Sequence, residues 1–282
     1  MSIIHNIKNR INPETREKLR KSQRRMSYLK EYILGGGELR ESILLKLLGH
    51  HYSSVYRRQW QFSDEDPHFS DNRVSMFGFA FRGRISGPGS LYRGFLSSEV
   101  IRDKDTLLDI GCGDGFFTAR FFSVRCSHVD AVDIEPTAIE AARKHNPAVN
   151  IDYHLLDAVN QRFPRDQYDV IVWDGALGHF APATTHHMFQ KISRHLAPDG
   201  IFVGSESLGV EGSDHLQFFH SLDDLYLLLK PYFKCVELRS IDYNINVGLA
   251  NESYRREGFW RCSNDSKRLD DNHWHTYPCP GE

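Results

Sequence analysis

From about residue 100 onward, short apolar runs alternate with stretches of helical period. The runs at 106–110, 128–133, 151–155, 168–173 and 201–205 are nearly continuous in Val, Ile, Leu and aromatic residues, and two more follow at 233–240 and 258–262. Helical patterning lies between them near 116–122, 136–144, 183–196 and 222–230. Strands that are apolar on both faces and separated by helices predict a parallel sheet covered on both sides. No helix fits between the last two runs, which predicts an antiparallel edge. The expected class is therefore α/β: a doubly wound, seven-stranded sheet, mostly parallel with an antiparallel edge strand.

The pattern before residue 100 differs in kind. Residues 12–34 read as a helix, with Asn12 placed to cap it, Pro13 at its first position, and Glu14 and Glu17 at the positive end of its dipole. The glycines at 35–37 stop it, and 38–50 carries a second apolar stripe at Leu39, Ile43, Leu44, Leu47 and Leu48. An aromatic-rich, polar section follows without a sustained period and runs into the breakers "SGPGS" at 86–90. Three parts are expected: a mainly helical N-terminal extension over 1–95 read as a substrate cap, a core over 96–264, and a polar tail over 265–282.

Composition narrows the partners. The 282 residues are 40% hydrophobic and 26% charged with a net charge of −2, which points to neither a nucleic-acid nor an anionic-membrane binder as a whole. No apolar run reaches the roughly 18–20 residues needed for a membrane span, and the N-terminus lacks the apolar stretch of a signal peptide. The five cysteines are scattered and odd in number, which predicts reduced thiols and a cytoplasmic setting. Charge is uneven, however: residues 1–31 carry nine Lys/Arg against three acids. That segment is read as a solvated helix face, or else as a patch for a phosphate-bearing substrate, RNA or a partner subunit. Cys262, His273, His275 and Cys279 are zinc-ligand types, but their spacing matches no common knuckle and no metal ligand is assigned.

The chemistry concentrates in "LLDIGCGDGFFTARFF", 107–122. Gly111, Gly113 and Gly115 end the first strand, where a doubly wound sheet takes its ligands, and a helix follows. The next strand ends in Asp133, whose carboxylate can accept from both ribose hydroxyls of a nucleoside. A dinucleotide site prefers GxGxxG and pyrophosphate at the helix N-terminus. Here Asp109 would repel a pyrophosphate but suits a ligand with an ammonium group.

These residues resemble the class I S-adenosylmethionine-dependent methyltransferases, over roughly 100–262, with five motifs in the family's order. The resemblance implies a Rossmann-like core and S-adenosyl-L-methionine as cofactor. It places Asp109, Gly111, Gly113 and Gly115 in the first motif, and Asp133 and Ile134 in the second. Asp157 and Ala158 of "YHLLDAV" fall near adenine, and Asp174 of "YDVIVWDGALGHF" at the mouth of the acceptor pocket.

Methyl transfer chiefly needs a positioned acceptor and, for a hydroxyl, a base. His179, with Asp174 to orient it, is the candidate base, and Glu206, His215 and His220 are candidate acceptor contacts. The fourth motif lacks the [DN]-P-P-[YFW] of amino-group methylation of adenine or glutamine and the Pro-Cys of cytosine C5 enzymes. The lysine of ribose 2′-O enzymes and the acidic metal site of catechol-type enzymes are missing as well. The reading is a metal-independent O-methyltransferase of a small-molecule, natural-product or glycan acceptor. An RNA or protein methyltransferase that uses the basic segment, and a cofactor-binding protein without catalysis, are the rivals; a homodimer is left open.

Overall fold

The computed structural model describes residues 87–210, 215–244, 254–269 and 274–277. The helices expected at 12–34 and 38–50, the basic segment, the aromatic-rich section before residue 87, His273 and Cys279 lie outside the described residues.

The strands are β1 (Thr106–Ile110), β2 (His128–Asp133), β3 (Ile151–Leu155), β4 (Tyr168–Asp174), β5 (Leu196–Leu208), β6 (Cys235–Asn244), β7 (Tyr254–Ser263) and β8 (His275–Tyr277). They form one sheet in the order β3-β2-β1-β4-β5-β7-β6-β8. The first five pair in parallel, and β7 lies antiparallel to β5 and β6. The expected doubly wound sheet with an antiparallel edge is present, with one addition: three residues of the tail form β8 against β6. Among the described residues the α-helices are α1 (Gly87–Ser98), α2 (Pro136–His145), α3 (Pro182–His195) and α4 (Leu222–Leu229).

Two apolar layers flank the sheet. On one face Trp173, Met188, Phe189, Phe202 and Trp260 close over α3 and α4. On the other, Leu107, Val129, Ile139, Val170 and Val203 pack against α2. Close packing leaves no slack at the seam: a Cβ on Gly204 would stand 2.2 Å from Trp260 Cζ2.

Three local expectations are revised. The breakers "GPGS" open α1 instead of extending a loop, because proline is tolerated in a helix's first turn; this helix runs across the boundary expected at residue 95. The helix expected over 116–122 is present but widens into a π-helical turn, Thr118–Phe122, closed by Ser123 N donating to Thr118 O. Strand β5 extends to Leu208 because Ser205, Glu206 and Ser207 are buried beside β7, where polar side chains find partners and do not mark a strand end. The cysteines also differ: Cys112, Cys126 and Cys262 are free, but Cys235 is disulfide-bonded. Sequence spacing does not reveal which thiols a fold brings together. Among the described residues, no helix is long and apolar enough to cross a membrane.

Candidate active site

The site begins where β1 stops. Gly111, Gly113 and Gly115 have φ of 72°, 55° and 72°, a left-handed conformation that a side chain would strain. Gly111 N and Cys112 N donate to Val132 O at 2.9 and 3.1 Å, which ties the loop to β2. The glycines serve different ends. A Cβ on Gly115 would meet the Tyr153 hydroxyl at 2.5 Å, whereas one on Gly111 would meet nothing within 4 Å. The loop therefore packs inward at Gly115 and presents open space at Gly111.

Carboxylates surround this space. Asp133, at the end of β2, accepts from Gly113 N through Oδ2 and from Glu135 N through Oδ1, both at 2.9 Å. Each oxygen keeps a further lone pair. Burial raises the Asp133 carboxyl above its ordinary value. Asp109 is buried and accepts from Thr118 Oγ1 at 2.5 Å. Burial, helped by the charges of Asp174 and Asp133 and opposed by Thr118, pushes it up to about 7. Asp174 ends β4 and accepts from Ser97 Oγ at 3.0 Å, while its buried Oδ1 takes no hydrogen bond among the described residues. Burial raises it to about 6 against the pull of Arg93 and of the Ser97 and Ser205 hydroxyls. Burial is the first cause in all three, and it leaves the space at Gly111 bordered by carboxyls. A cationic nucleoside suits that border, and a pyrophosphate does not.

The remaining expected cofactor residues line the same end of the sheet. Ile134 follows Asp133 and is 47% exposed, an apolar side chain left facing outward. Leu156 N donates to Asp133 O, which joins the end of β3 to that of β2. Asp157 Oδ1 accepts from Val159 N and Asn160 N, and Asn160 Nδ2 donates to Oδ2. Slight burial works against ionisation of Asp157, but those bonds and the nearby Lys191 outweigh it and hold the carboxyl below its ordinary value. The Ala158 carbonyl accepts from Lys191 Nζ at 2.6 Å.

The other end of the pocket is built from side chains. After β4, the 3₁₀ turn Leu177–His179 carries His179, whose ring lies 4.4 Å, centroid to centroid, from that of His215. Gly178 permits this approach, since a Cβ there would stand 2.1 Å from His215 Cδ2. Leu216 N and Gln217 N both donate to Gly178 O and dock the His215 segment on the turn. Buried Glu206 accepts from Gly178 N at 2.7 Å and Ser207 N at 2.8 Å, with His215 Nε2 3.9 Å from its Oε1. Burial alone would raise Glu206, but His215, these two N–H groups and Arg93 outweigh it and keep the carboxyl below its ordinary value. The fold thus brings His179, His215 and Glu206 together. His220 stands apart and exposed, its backbone N–H donating to Asp224 at the start of α4.

Sequence reasoning missed the group beneath them. Glu257 of β7 is fully buried and accepts from Arg93 Nε at 2.6 Å, Tyr243 OH at 3.1 Å and Ser205 Oγ at 3.3 Å. Arg93 reaches it from α1 across Gly175, where a Cβ would meet Arg93 Nη1 at 2.0 Å. Burial opposes the Arg93 charge, but Glu257 and Asp174 more than restore it and raise its pKa. No local motif announces this set, because its members come from four separate elements.

Comparison with known proteins agrees with this geometry. Residues 107–200 match the family model described as a methyltransferase domain. An uncharacterised methyltransferase of Schizosaccharomyces pombe is 35% identical over 117 residues, covering 38% of this chain and 44% of the relative. The carboxy-S-adenosyl-L-methionine synthase of Hydrogenovibrio crunogenus is 26% identical over 153 residues, covering 52% of this chain and 61% of that protein. The chain thus spans about half the length of these relatives. Among solved structures, a putative methyltransferase from Bacillus halodurans shares the fold with a TM-score of 0.50 at 16% identity, covering 61% of this chain and 97% of that one. Over residues 107–200 the chain is similar to the methyltransferase-domain family, and the sheet built around that stretch has the fold of a solved putative methyltransferase.

Proposed function

We propose that the chain binds S-adenosylmethionine at the ends of β1, β2 and β3 and methylates a hydroxyl of a small-molecule, natural-product or glycan acceptor held at the ends of β4, β5 and β7. The observation that carries this reading is the cluster of three carboxyls, Asp109, Asp133 and Asp174, around the open space at Gly111. The cofactor supplies a methyl group already activated on a sulfonium. The chain's own residues bind and orient. Asp133 offers its spare lone pairs to ribose hydroxyls, Ile134 gives the base an apolar surface, and Asp157 and Ala158 stand at the adenine edge. Asp109 and the orphan Oδ1 of Asp174 accept from an ammonium.

On the acceptor side, His179 takes the hydroxyl proton as the oxygen–carbon bond forms. Imidazole suits the task because its unperturbed pKa lies near neutrality. His215 packs on its ring, and the ionised Glu206 behind His215 favours the charge that His179 acquires. Glu206 and His215 border the acceptor here, while His220 would reach only a long acceptor.

The test is S-adenosylhomocysteine formation with panels of hydroxyl-bearing acceptors and matched amines, for the wild type and His179→Ala. Hydroxyl acceptors alone should turn over, and His179→Ala should lose about 10²–10⁴-fold in turnover with cofactor affinity unchanged by calorimetry. Methylation of the amines alone would overturn oxygen as the acceptor, and a fully active His179→Ala would remove it as the base.

A further inference from the structure

A second constellation sits at the other end of the sheet. Strands β2 and β3 pair in a register that sets Asp130 opposite Asp152. Alternation along each strand puts His128 on the Asp130 face and His154 on the Asp152 face, so two imidazoles and two carboxylates share one surface. Opposed carboxylates repel unless a cation sits between them.

The distances are those of a coordination shell. His128 Nε2 lies 3.4 Å from Asp130 Oδ1 and 3.7 Å from Asp152 Oδ2. The ligand atoms of these three residues all fall within 4.8 Å of one another. A tetrahedral zinc with bonds of about 2.0–2.1 Å spaces its ligand atoms at roughly 3.3–3.4 Å, so two of the three edges are nearly formed. The surroundings also divide as they do around metals. Arg165 Nε and Tyr168 OH occupy Asp130 Oδ2 at 2.9 and 3.1 Å, which leaves Oδ1 to face the cluster. His154 Nε2, 2.8 Å from Oδ1, is at hydrogen-bond distance and holds the carboxylate in place, as outer-shell partners do. Asp130 is buried, while the Asp152 side chain is 67% exposed, so the floor is fixed and the entrance is open.

We propose that His128, Asp130 and Asp152 bind a divalent first-row transition ion, zinc being the best fit, with His154 as positioning residue. An imidazole beside carboxylates favours such an ion over magnesium or calcium. The ion would clamp β2 to β3 and take no part in methyl transfer. His128 opens β2 and Asp133 closes it, which separates the two sites by about 17 Å of strand.

The experiment uses the full chain, stripped with chelator and dialysed, and follows zinc chloride by calorimetry and by thermal unfolding. One saturable site is expected, with a rise in Tm that grows with zinc concentration; magnesium should produce neither. Asp152→Asn, at a position whose side chain is exposed, and His128→Ala should each weaken zinc binding at least tenfold. His154→Gln should weaken it less. Affinity for S-adenosylhomocysteine should not change in any of the three. Absence of saturable zinc binding, or zinc binding unchanged in both Asp152→Asn and His128→Ala, would overturn the proposal.

Discussion

The two halves of the active-site rim are made of different material. The half at β1, β2 and β3 is mostly backbone: glycines in left-handed turns, N–H groups aimed at Asp133, and one open space. The half at β4, β5 and β7 is side chains: buried Glu257 and Glu206 with the partly buried Arg93, His215 and His179, gathered from distant parts of the chain. On the proposed function the β1–β3 side is the donor half, which needs one shape for one ligand, and a backbone supplies that with few residue types. The β4, β5 and β7 side is then the acceptor half, which needs charges in fixed places, and these cost desolvation unless each is paired.

The contrast can be broken most forcefully at Glu257. Glu257→Ala removes the hydrogen-bond acceptor of the partly buried Arg93 and leaves only the Asp174 charge beside it, which should destabilise the fold by about 3 kcal/mol, measured by urea unfolding. A loss under 1 kcal/mol would mean that the acceptor half is not held by this pair. A smaller effect is expected on the donor half. Asp133→Ala should cost about 1.5–3 kcal/mol of S-adenosylmethionine affinity through lost charged hydrogen bonds, and isothermal calorimetry would read it. Equal affinity in the variant would remove Asp133 from the ribose role.

The finest distinction is in pH. Asp109 and Asp174 titrate near 7 and 6 in the fold, against about 4 in an unfolded chain. The folded state therefore binds extra protons between about pH 4 and 7, and cofactor-free stability should fall as pH rises through that window. The slope is up to about 1.4 kcal/mol per pH unit for each group. Binding of a sulfonium favours the ionised acids, so cofactor affinity should rise from pH 6 to pH 8. Asp109→Asn should flatten both trends, followed by Tm and by calorimetry; unchanged slopes would show that Asp109 is not the titrating group.

What could be read from the sequence follows the same division. Gly111, Gly113, Gly115 and Asp133 were legible because a strand, a tight turn and a second strand fix their relation within a short span. His179 was legible as the ionisable residue after β4. Arg93 and Glu257 were not, because their pairing is a property of the folded sheet and leaves no local period. The expected runs 201–205 and 258–262 stopped short of the observed β5 and β7 for the same reason: Glu206, Ser207 and Glu257 are polar, but each is satisfied by a neighbour. His128, Asp130, Asp152 and His154 passed as ordinary strand residues until the β2–β3 register set them on one face.

Sequence separation gives the two halves different histories. The bonds of the donor half are short-range: Gly113 to Asp133 spans 20 residues and Thr118 to Asp109 spans 9. Arg93 to Glu257 spans 164, and the Arg261–Glu99 and Arg268–Asp105 pairs span 162 and 163. Closing loops that long costs chain entropy that only late contacts repay. A chain still being synthesised has all the residues of its donor cradle by β4, but Arg93 must wait for β7. The Arg93–Glu257 bond therefore doubles as a completion signal: the acceptor wall stands only in a chain translated past Glu257.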